Sequence, residues 1–235
     1  MNREETDRVR RVYEGYDRDA RRRARYDSTR AGNQAMVSER WRVIDGLLRL
    51  AGVSSLSGRR ILEVGCGDGA NVDPLIAAGA GAESLTGVDL SFPRLISARR
   101  AHPDMSCALA TGETLPFPPA AFDAVVLFTV LSSILDTQVA RGIARESGRV
   151  LRAGGIVLWY DLRVGNPRNA NVRGVRRGEL EGFFPGFDCQ MRSVTVVPPL
   201  ARALGPAARW LYPVLGFLPP LRSHYAAVLT KMEAA

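Results

Sequence analysis

The residues best suited to chemistry are a run of small and acidic side chains, Glu63-Val64-Gly65-Cys66-Gly67-Asp68-Gly69, followed twenty residues after the last glycine by Asp89. Glycines at alternate positions let the backbone turn sharply and let a ligand approach the main chain without meeting a Cβ. A carboxylate at the end of the next strand can accept two hydrogen bonds from the vicinal hydroxyls of a ribose. The pair implies a nucleoside-bearing cofactor; the alternative is a purely structural strand–turn–helix corner. Gly65, Gly67 and Ala70 also satisfy the G-x-G-x-x-G/A pattern of dinucleotide sites. Glu63 and Asp68 argue against a pyrophosphate, because negative charge at the turn repels a polyphosphate and suits a ligand carrying an ammonium and a sulfonium.

These residues need elements to hold them, and from Arg60 onward apolar runs alternate with helical patterns. RILEVGC reads as a strand, DPLIAAGA as a helix, SLTGVDLS as a strand and PRLISARRAH as a helix. CALATGE is a weak third strand and FDAVVLFTV a continuous apolar fourth. A helix capped by Asp136 then runs to Arg152, ahead of a fifth strand, GGIVLWYDL. Strands alternating with helices predict an α/β fold, a doubly wound and mostly parallel sheet buried on both faces. Beyond Asp161 come a polar loop, a short helix GELEGFF, a sixth strand CQMRSVTVV and a seventh, SHYAAVLTKM, making a seven-stranded sheet. Pro198 to Ser223 lies between the last two strands, rich in proline, leucine and aromatics, and must pack over an end or a face. Residues 5–50 read as helical with a break near 28–33. The expected organisation is a helical lid over 1–52 and a cofactor-binding domain over 53–235, with 198–223 as a cap over the substrate.

Composition sets limits. The chain of 235 residues is 46% hydrophobic and 24% charged, the balance of a folded protein that needs no disulfide or structural metal. Cys66, Cys107 and Cys189 form no C-x-x-C pair, so a reducing, cytoplasmic setting is the default. The net charge of +8 admits nucleic acid or acidic lipid as partners. Lys231 is the only lysine, however, so the excess is arginine, as a coding bias gives, and it is partly concentrated at Arg18 to Arg25. A nucleic-acid substrate is disfavoured. The N-terminus has no apolar run of a signal peptide. Prolines and Arg209 break residues 204–221 into pieces too short to span a bilayer, which leaves contact with a membrane surface open.

Taken together, ILEVGCGDGA (61–70), GVDLS (87–91), GETLPFPPAAFDAVV (112–126) and RVLRAGG (149–155) resemble the class I S-adenosylmethionine-dependent methyltransferases in order and spacing, over roughly residues 55–162. The resemblance implies a Rossmann-like fold with S-adenosylmethionine as cofactor. It places Glu63, Gly65, Cys66, Gly67 and Gly69 along the methionine half, Asp89 on the ribose and Leu90 beside the adenine. Thr111 and Gly112 would meet the adenine edge, and Phe128 would begin the segment under the sulfonium. Thr111 departs from the family, which usually has an acidic residue there; Glu113 is the substitute. YDSTRAGNQAMVSER (26–40) is similar to the N-terminal helix of bacterial methyltransferases of natural-product and cell-envelope glycan pathways. That likeness implies a lid bearing Tyr13, Tyr16, Tyr26 and Asn33, with a nearby arginine for the cofactor's carboxylate.

The resemblance implies methylation of a small-molecule or glycan acceptor, with a hydroxyl as the expected target; an RNA or DNA methyltransferase, a dinucleotide-dependent oxidoreductase and a non-catalytic cofactor-binding protein are the rivals. A hydroxyl acceptor benefits from a general base. The candidates are Asp161, at the carboxyl end of the fifth strand, and His224, where the insertion returns to the seventh. Each has a structural alternative, as a strand-end carboxylate bonded to loop amides and as a histidine bonded to backbone. His102 reads as a surface residue. Asn166, Arg168 and Asn169 in NPRNANVR suit a polyhydroxylated or anionic acceptor, or an ordinary solvated turn. Trp210, Tyr212 and Phe217 suit an acceptor with an apolar part or a homodimer contact. No carboxylates gather near Asp161 in sequence, so magnesium is not supported and no metal ligand is assigned.

Overall fold

A computed structural model describes residues 3–233, the side chain of Arg23 excepted; Met1, Asn2, Ala234 and Ala235 lie outside the described residues. Seven strands form one sheet in the order β3-β2-β1-β4-β5-β7-β6. They are β1 (Ile61–Val64), β2 (Leu85–Asp89), β3 (Ser106–Leu109), β4 (Phe122–Phe128), β5 (Leu151–Leu162), β6 (Phe187–Val196) and β7 (Arg222–Lys231). The first five run parallel, and β7 inserts antiparallel between β5 and β6. The continuous apolar run of β4 is explained by its place: it is flanked by β1 and β5 and buried at every position but Asp123. From β1 the chain moves outward to β2 and β3 and then returns to the other side of β1 as β4. That reversal opens a crevice at the carboxyl ends of β1 and β4.

Helices cover both faces. Val9 of α1 (Arg3–Arg18) and Val139, Ile143 and Val150 of α6 (Thr137–Val150) pack with Leu62, Val64, Leu127 and Trp159. Ile44, Leu47 and Leu48 of α3 (Ala31–Leu50) pack on the opposite face with Ile61, Val126, Leu158 and Val228. Between α1 and α3 lies a short helix, α2 (Ala20–Arg25). Leu75 and Leu95, from α4 (Val72–Ala77) and α5 (Phe92–Ala101), complete the α3 layer. Thus the carboxyl half of α3 belongs to the core, and α1 is the N-terminal helix that reaches the crevice. The expected Asp136 cap on α6 is formed: its carboxylate accepts from the amides of Gln138 (2.8 Å) and Val139 (3.4 Å). That helix stops at Val150 rather than Arg152, because Leu151 already pairs with Phe122 as β5 begins.

A short α7 (Arg177–Phe183) precedes β6. The insertion is not a loop. It folds into α8 (Pro198–Ala203) and α9 (Ala208–Gly216), with Ala201, Ala208 and Tyr212 buried. The chain closes so tightly at Gly32 of α3 that any Cβ there would collide with the backbone oxygen of Ala201. The end of β6 and the start of β7 face the carboxyl edge of the parallel strands, so the insertion occupies the same end of the sheet as the crevice.

Candidate active site

A cleft that is partly open to solvent lies over the carboxyl ends of β1, β2 and β4. Its floor is Val64, Gly65, Val88, Asp89 and Phe128. The glycine turn is shaped by backbone bonds: the amides of Gly65 (2.7 Å) and Cys66 (3.0 Å) both donate to the Val88 carbonyl. Gly65 has φ +75°, and a Cβ there would stand 2.9 Å from Val130 Cγ2, so an L side chain is opposed by both strain and space. Asp89 accepts from the Gly67 amide (2.9 Å) and the Ser91 amide (2.8 Å), which aims its carboxylate across the cleft floor. Burial raises its pKa, and those amides pull the other way.

Helix α1 roofs the cleft through Val9, Arg10 and Tyr13. On one side Glu5 accepts from the Leu135 amide (2.6 Å) and pairs with Arg8, which donates to the Ser133 carbonyl (2.6 Å). On the other side Arg94 of α5 donates from Nε to Asp17 (2.8 Å), lies over the Tyr13 ring and closes a second contact to the same carboxylate. Ser133 Oγ donates to the Thr129 carbonyl (2.9 Å), so the Tyr13 hydroxyl is the donor in its 2.8 Å bond to Ser133. Thr129 itself sits at φ +58°, a conformation that costs a β-branched residue energy and concentrates at working sites.

Behind the floor lies a second group. Glu63, 3% exposed, accepts from Asn71 Nδ2 (2.6 Å) through Oε1, while its buried Oε2 has no hydrogen-bond partner. Arg40 of α3 donates to Asn71 Oδ1 (3.0 Å), lies against the rings of Phe128 and Tyr160, and leaves its buried Nε without a hydrogen-bond partner. Burial lifts the Glu63 carboxyl to about 7; Asn71 and Arg40 hold it down, and Asp89 and Asp68 push it up.

A family model described as a methyltransferase domain matches residues 62–159, the stretch that builds this floor. Over that stretch, 98 of 235 residues, the chain carries a methyltransferase domain similar to those of the class I S-adenosylmethionine-dependent enzymes. A phthiotriol/phenolphthiotriol dimycocerosates methyltransferase of Mycobacterium ulcerans is 38% identical over 113 residues, 47% of this chain and 40% of that protein. A ubiquinone biosynthesis O-methyltransferase of Methylocella silvestris is 36% identical over 112 residues, 46% of this chain and 41% of that one. The chain thus spans well under two thirds of the length of the curated relatives it matches. The fold is shared with an S-adenosylmethionine-dependent methyltransferase of Mesorhizobium loti, at TM-score 0.58 and 18% identity over 80% of this chain and 97% of that one.

Around this methyltransferase domain the expected residues divide. Gly65, Asp89, Leu90, Gly112 and Phe128 line the cleft. Gly67 and Gly69, with φ +57° and +86°, shape the turn beside it, and Gly67 gives its amide to Asp89. Cys66 points into the core, and burial drives its thiol pKa upward. Glu63 lies behind the floor, and Thr111 and Glu113 are in the following turn outside the lining; Glu113 packs toward Gly142 of α6. Tyr16 ties α1 to the 166–173 loop by donating to Asn169 Oδ1 (3.1 Å). Tyr26 stands 57% exposed against Arg202, away from the cleft. Asn33 fastens α3 instead, donating to the carbonyls of Arg25 and Asp27 and accepting from Arg202.

The two expected bases are placed differently from that role. Asp161 is fully buried, and its carboxylate accepts from the amides of Ser132 (3.0 Å) and Leu162 (3.0 Å). Burial raises it to about 6 while the Ser132 bonds lower it. His224 is buried, stacked on Tyr160 at 4.8 Å and bonded through Nδ1 to Ser223 Oγ (2.8 Å). Burial and the nearby Arg40 cation push its pKa down to about 3, so it is neutral at ordinary pH and a weak base. Neither lines the cleft. Of the acceptor candidates, Asn166 and Arg168 are exposed and bond within their own turn. Tyr212 is buried, donating to Glu39 Oε2 (2.5 Å) and accepting from the Val196 amide (3.2 Å). Among the described residues no three His, Cys, Asp or Glu side chains gather as a metal cage.

The sequence reading missed Arg40, Asn71, Thr129 and Ser133. Arg40 carried a signal: it falls at steps of four between Met36 and Ile44, on the apolar face of α3. Thr129 carried none, because nothing local marks a threonine for positive φ.

Proposed function

We propose that the chain transfers the methyl group of S-adenosylmethionine to an acidic hydroxyl, phenolic or carboxylic, on a small acceptor with an apolar part. The observation that carries this reading is the cleft lining: apolar walls with Asp89 across the floor, Arg10, Tyr13 and Arg94 as its other titratable groups, and no buried-in base. The cofactor's needs are matched by residues present. Asp89 offers carboxylate oxygens to vicinal hydroxyls, and Leu90 and Gly112 offer a flat apolar slot. The partnerless Glu63 Oε2 and Arg40 Nε are an acceptor for an ammonium and a donor for a carboxylate, the two ends of an amino acid. Bound S-adenosylmethionine supplies a methyl carbon on a sulfonium, which leaves as a neutral thioether.

The enzyme's part is then alignment, which Phe128, Thr129 and the α1 roof provide. With Asp161 and His224 away from the cleft, an acceptor that ionises in water fits better than an alcohol needing a base. The relatives' names, a quinone-pathway O-methyltransferase and a dimycocerosate methyltransferase, support an apolar acceptor over the sugar implied by residues 26–40. The burial of both expected bases also favours a second reading, cofactor binding without turnover.

Calorimetry with S-adenosylmethionine, S-adenosylhomocysteine and NAD, then a methyl-labelled screen of phenols, carboxylic acids, sugars, amines and bulk RNA with and without magnesium, separates these readings. Labelled phenol or carboxylic acid is the expected result. Adenosyl-ligand binding with no labelled acceptor supports the second reading, and binding of NAD alone overturns both.

The Glu63 assignment predicts a pH effect. If an ionised Glu63 receives the ammonium, a carboxyl with a pKa of about 7 must lose its proton on binding. Affinity for S-adenosylhomocysteine should rise toward tenfold per pH unit below about 7 and level off above it. Glu63→Gln should bind more weakly and flatten the profile; a sloped profile in that variant, measured by calorimetry from acid to neutral pH, removes Glu63 from the amino-acid end.

A further inference from the structure

Helix α9 is apolar on two opposite faces. Ala208, Tyr212 and Gly216 are buried, on the side that packs against α3 and β6. Trp210, Leu211, Val214, Phe217 and Leu218 recur one, four, seven and eight residues apart and therefore share one arc on the other side. That arc faces solvent, with Trp210 68% and Phe217 80% exposed. A continuous patch of large apolar side chains marks an interaction surface rather than incidental exposure. Its surroundings state what kind. The insertion itself carries no aspartate or glutamate but holds Arg202, Arg209 and Arg222, and Glu39 meets α9 on its buried side, where Tyr212 donates to it. Arg209 lies over the Trp210 ring at 4.7 Å, and Arg202 lies over the exposed Tyr26 ring at 4.7 Å, close enough to Arg25 and Arg30 for their charges to act on it. Arg25, Arg30 and Arg209 are exposed.

We propose that α9 docks the protein on an anionic lipid bilayer, inserting Trp210, Val214 and Phe217 into the interfacial layer while the arginines meet the headgroups. Aromatic and aliphatic side chains on one helical arc with cations at its border are the pattern of a helix lying in a membrane interface. No helix among the described residues is long and apolar enough to cross a bilayer, so the contact is superficial. The insertion stands at the carboxyl edge of the sheet, so docking would bring the cleft's end of the molecule to the lipid. The proposal concerns where the protein sits and does not depend on the transfer reaction.

The test is cosedimentation of the full chain with vesicles of phosphatidylcholine and phosphatidylglycerol in equal parts, against phosphatidylcholine alone. Tryptophan emission is read in parallel; Trp159 is buried and Trp41 partly so, which leaves Trp210 as the reporter of insertion. The expected result is sedimentation with the mixed vesicles, a blue shift, and loss of both as salt rises. The double variant Trp210→Ser/Phe217→Ser should partition about tenfold less or weaker still, with an unchanged circular dichroism spectrum and unchanged S-adenosylhomocysteine binding. Arg209→Gln should lower partition into mixed vesicles only. Absence of partition by the native chain overturns the proposal, as does partition that the double variant leaves intact. A dimer in light scattering that the double variant converts to monomer, with no vesicle binding, would assign the patch to a second copy instead.

Discussion

Asp89→Ala is expected to weaken S-adenosylhomocysteine binding by about 1.5–3 kcal/mol, roughly 10- to 150-fold in Kd. The carboxylate stands at the end of β2 with both oxygens already oriented by the Gly67 and Ser91 amides. Vicinal hydroxyls would meet lone pairs fixed beforehand, so little ordering is needed on binding. Removing the group also frees the Gly67 amide and loosens the glycine turn, which adds to the loss. Asp89→Asn separates the contributions: it keeps one acceptor oxygen and should fall between the native protein and Asp89→Ala. Calorimetric titration of the three proteins checks the order, and an unchanged Kd in Asp89→Ala would place the ribose elsewhere.

The second large effect is on stability. Asp161→Ala should destabilise the fold by about 2–5 kcal/mol, because the buried Ser132 amide and the part-buried Leu162 amide lose their acceptor. The melting temperature should fall by roughly 2–4 °C for each kcal/mol. Asp161→Asn should cost less than the alanine variant but not nothing: its amide oxygen keeps one of the two bonds, its NH2 faces the other N–H, and the buried charge is removed. The pH dependence has a definite sign. A carboxyl whose pKa is raised to about 6 in the folded state holds its proton more tightly there than in the unfolded chain. Its contribution to stability is therefore greatest in acid and declines as pH rises from about 4 through 6. Asp161→Asn should flatten that decline in thermal melts. A variant that melts like the native protein yet has lost all turnover would return Asp161 to the role of base.

The central strands were legible because they are buried on both faces, which writes unbroken apolar runs such as AVVLF into the sequence. The glycine turn and Asp89 were legible for a related reason: positive φ and close approach restrict residue type, so the sequence has to show them. The base assignments failed to reach the cleft because position in the strand does not say which face a side chain takes or who meets it there. Asp161 follows Tyr160 in β5, and burial on that face turned it toward the Ser132 amide. His224 pairs with Leu162 across the sheet, and its ring was captured by Tyr160. Residues 198–223 show no helical pattern in the sequence because Pro198, Pro199, Pro206 and Pro213 interrupt them. The prolines instead start α8, break between helices and sit on an open face of α9.

Helix α1 is fastened to both banks of the cleft, by Glu5 and Arg8 at the Leu135 side and by Asp17 at Arg94. A ligand whose path runs under that helix passes only when at least one fastening lets go. The free energy of the fastenings enters the barrier in both directions on that path, and contacts of Val9, Arg10 and Tyr13 with the ligand add to the barrier for departure. For a reaction whose spent cofactor must be exchanged at every cycle, release of the strap becomes a step that exchange on that path has to include.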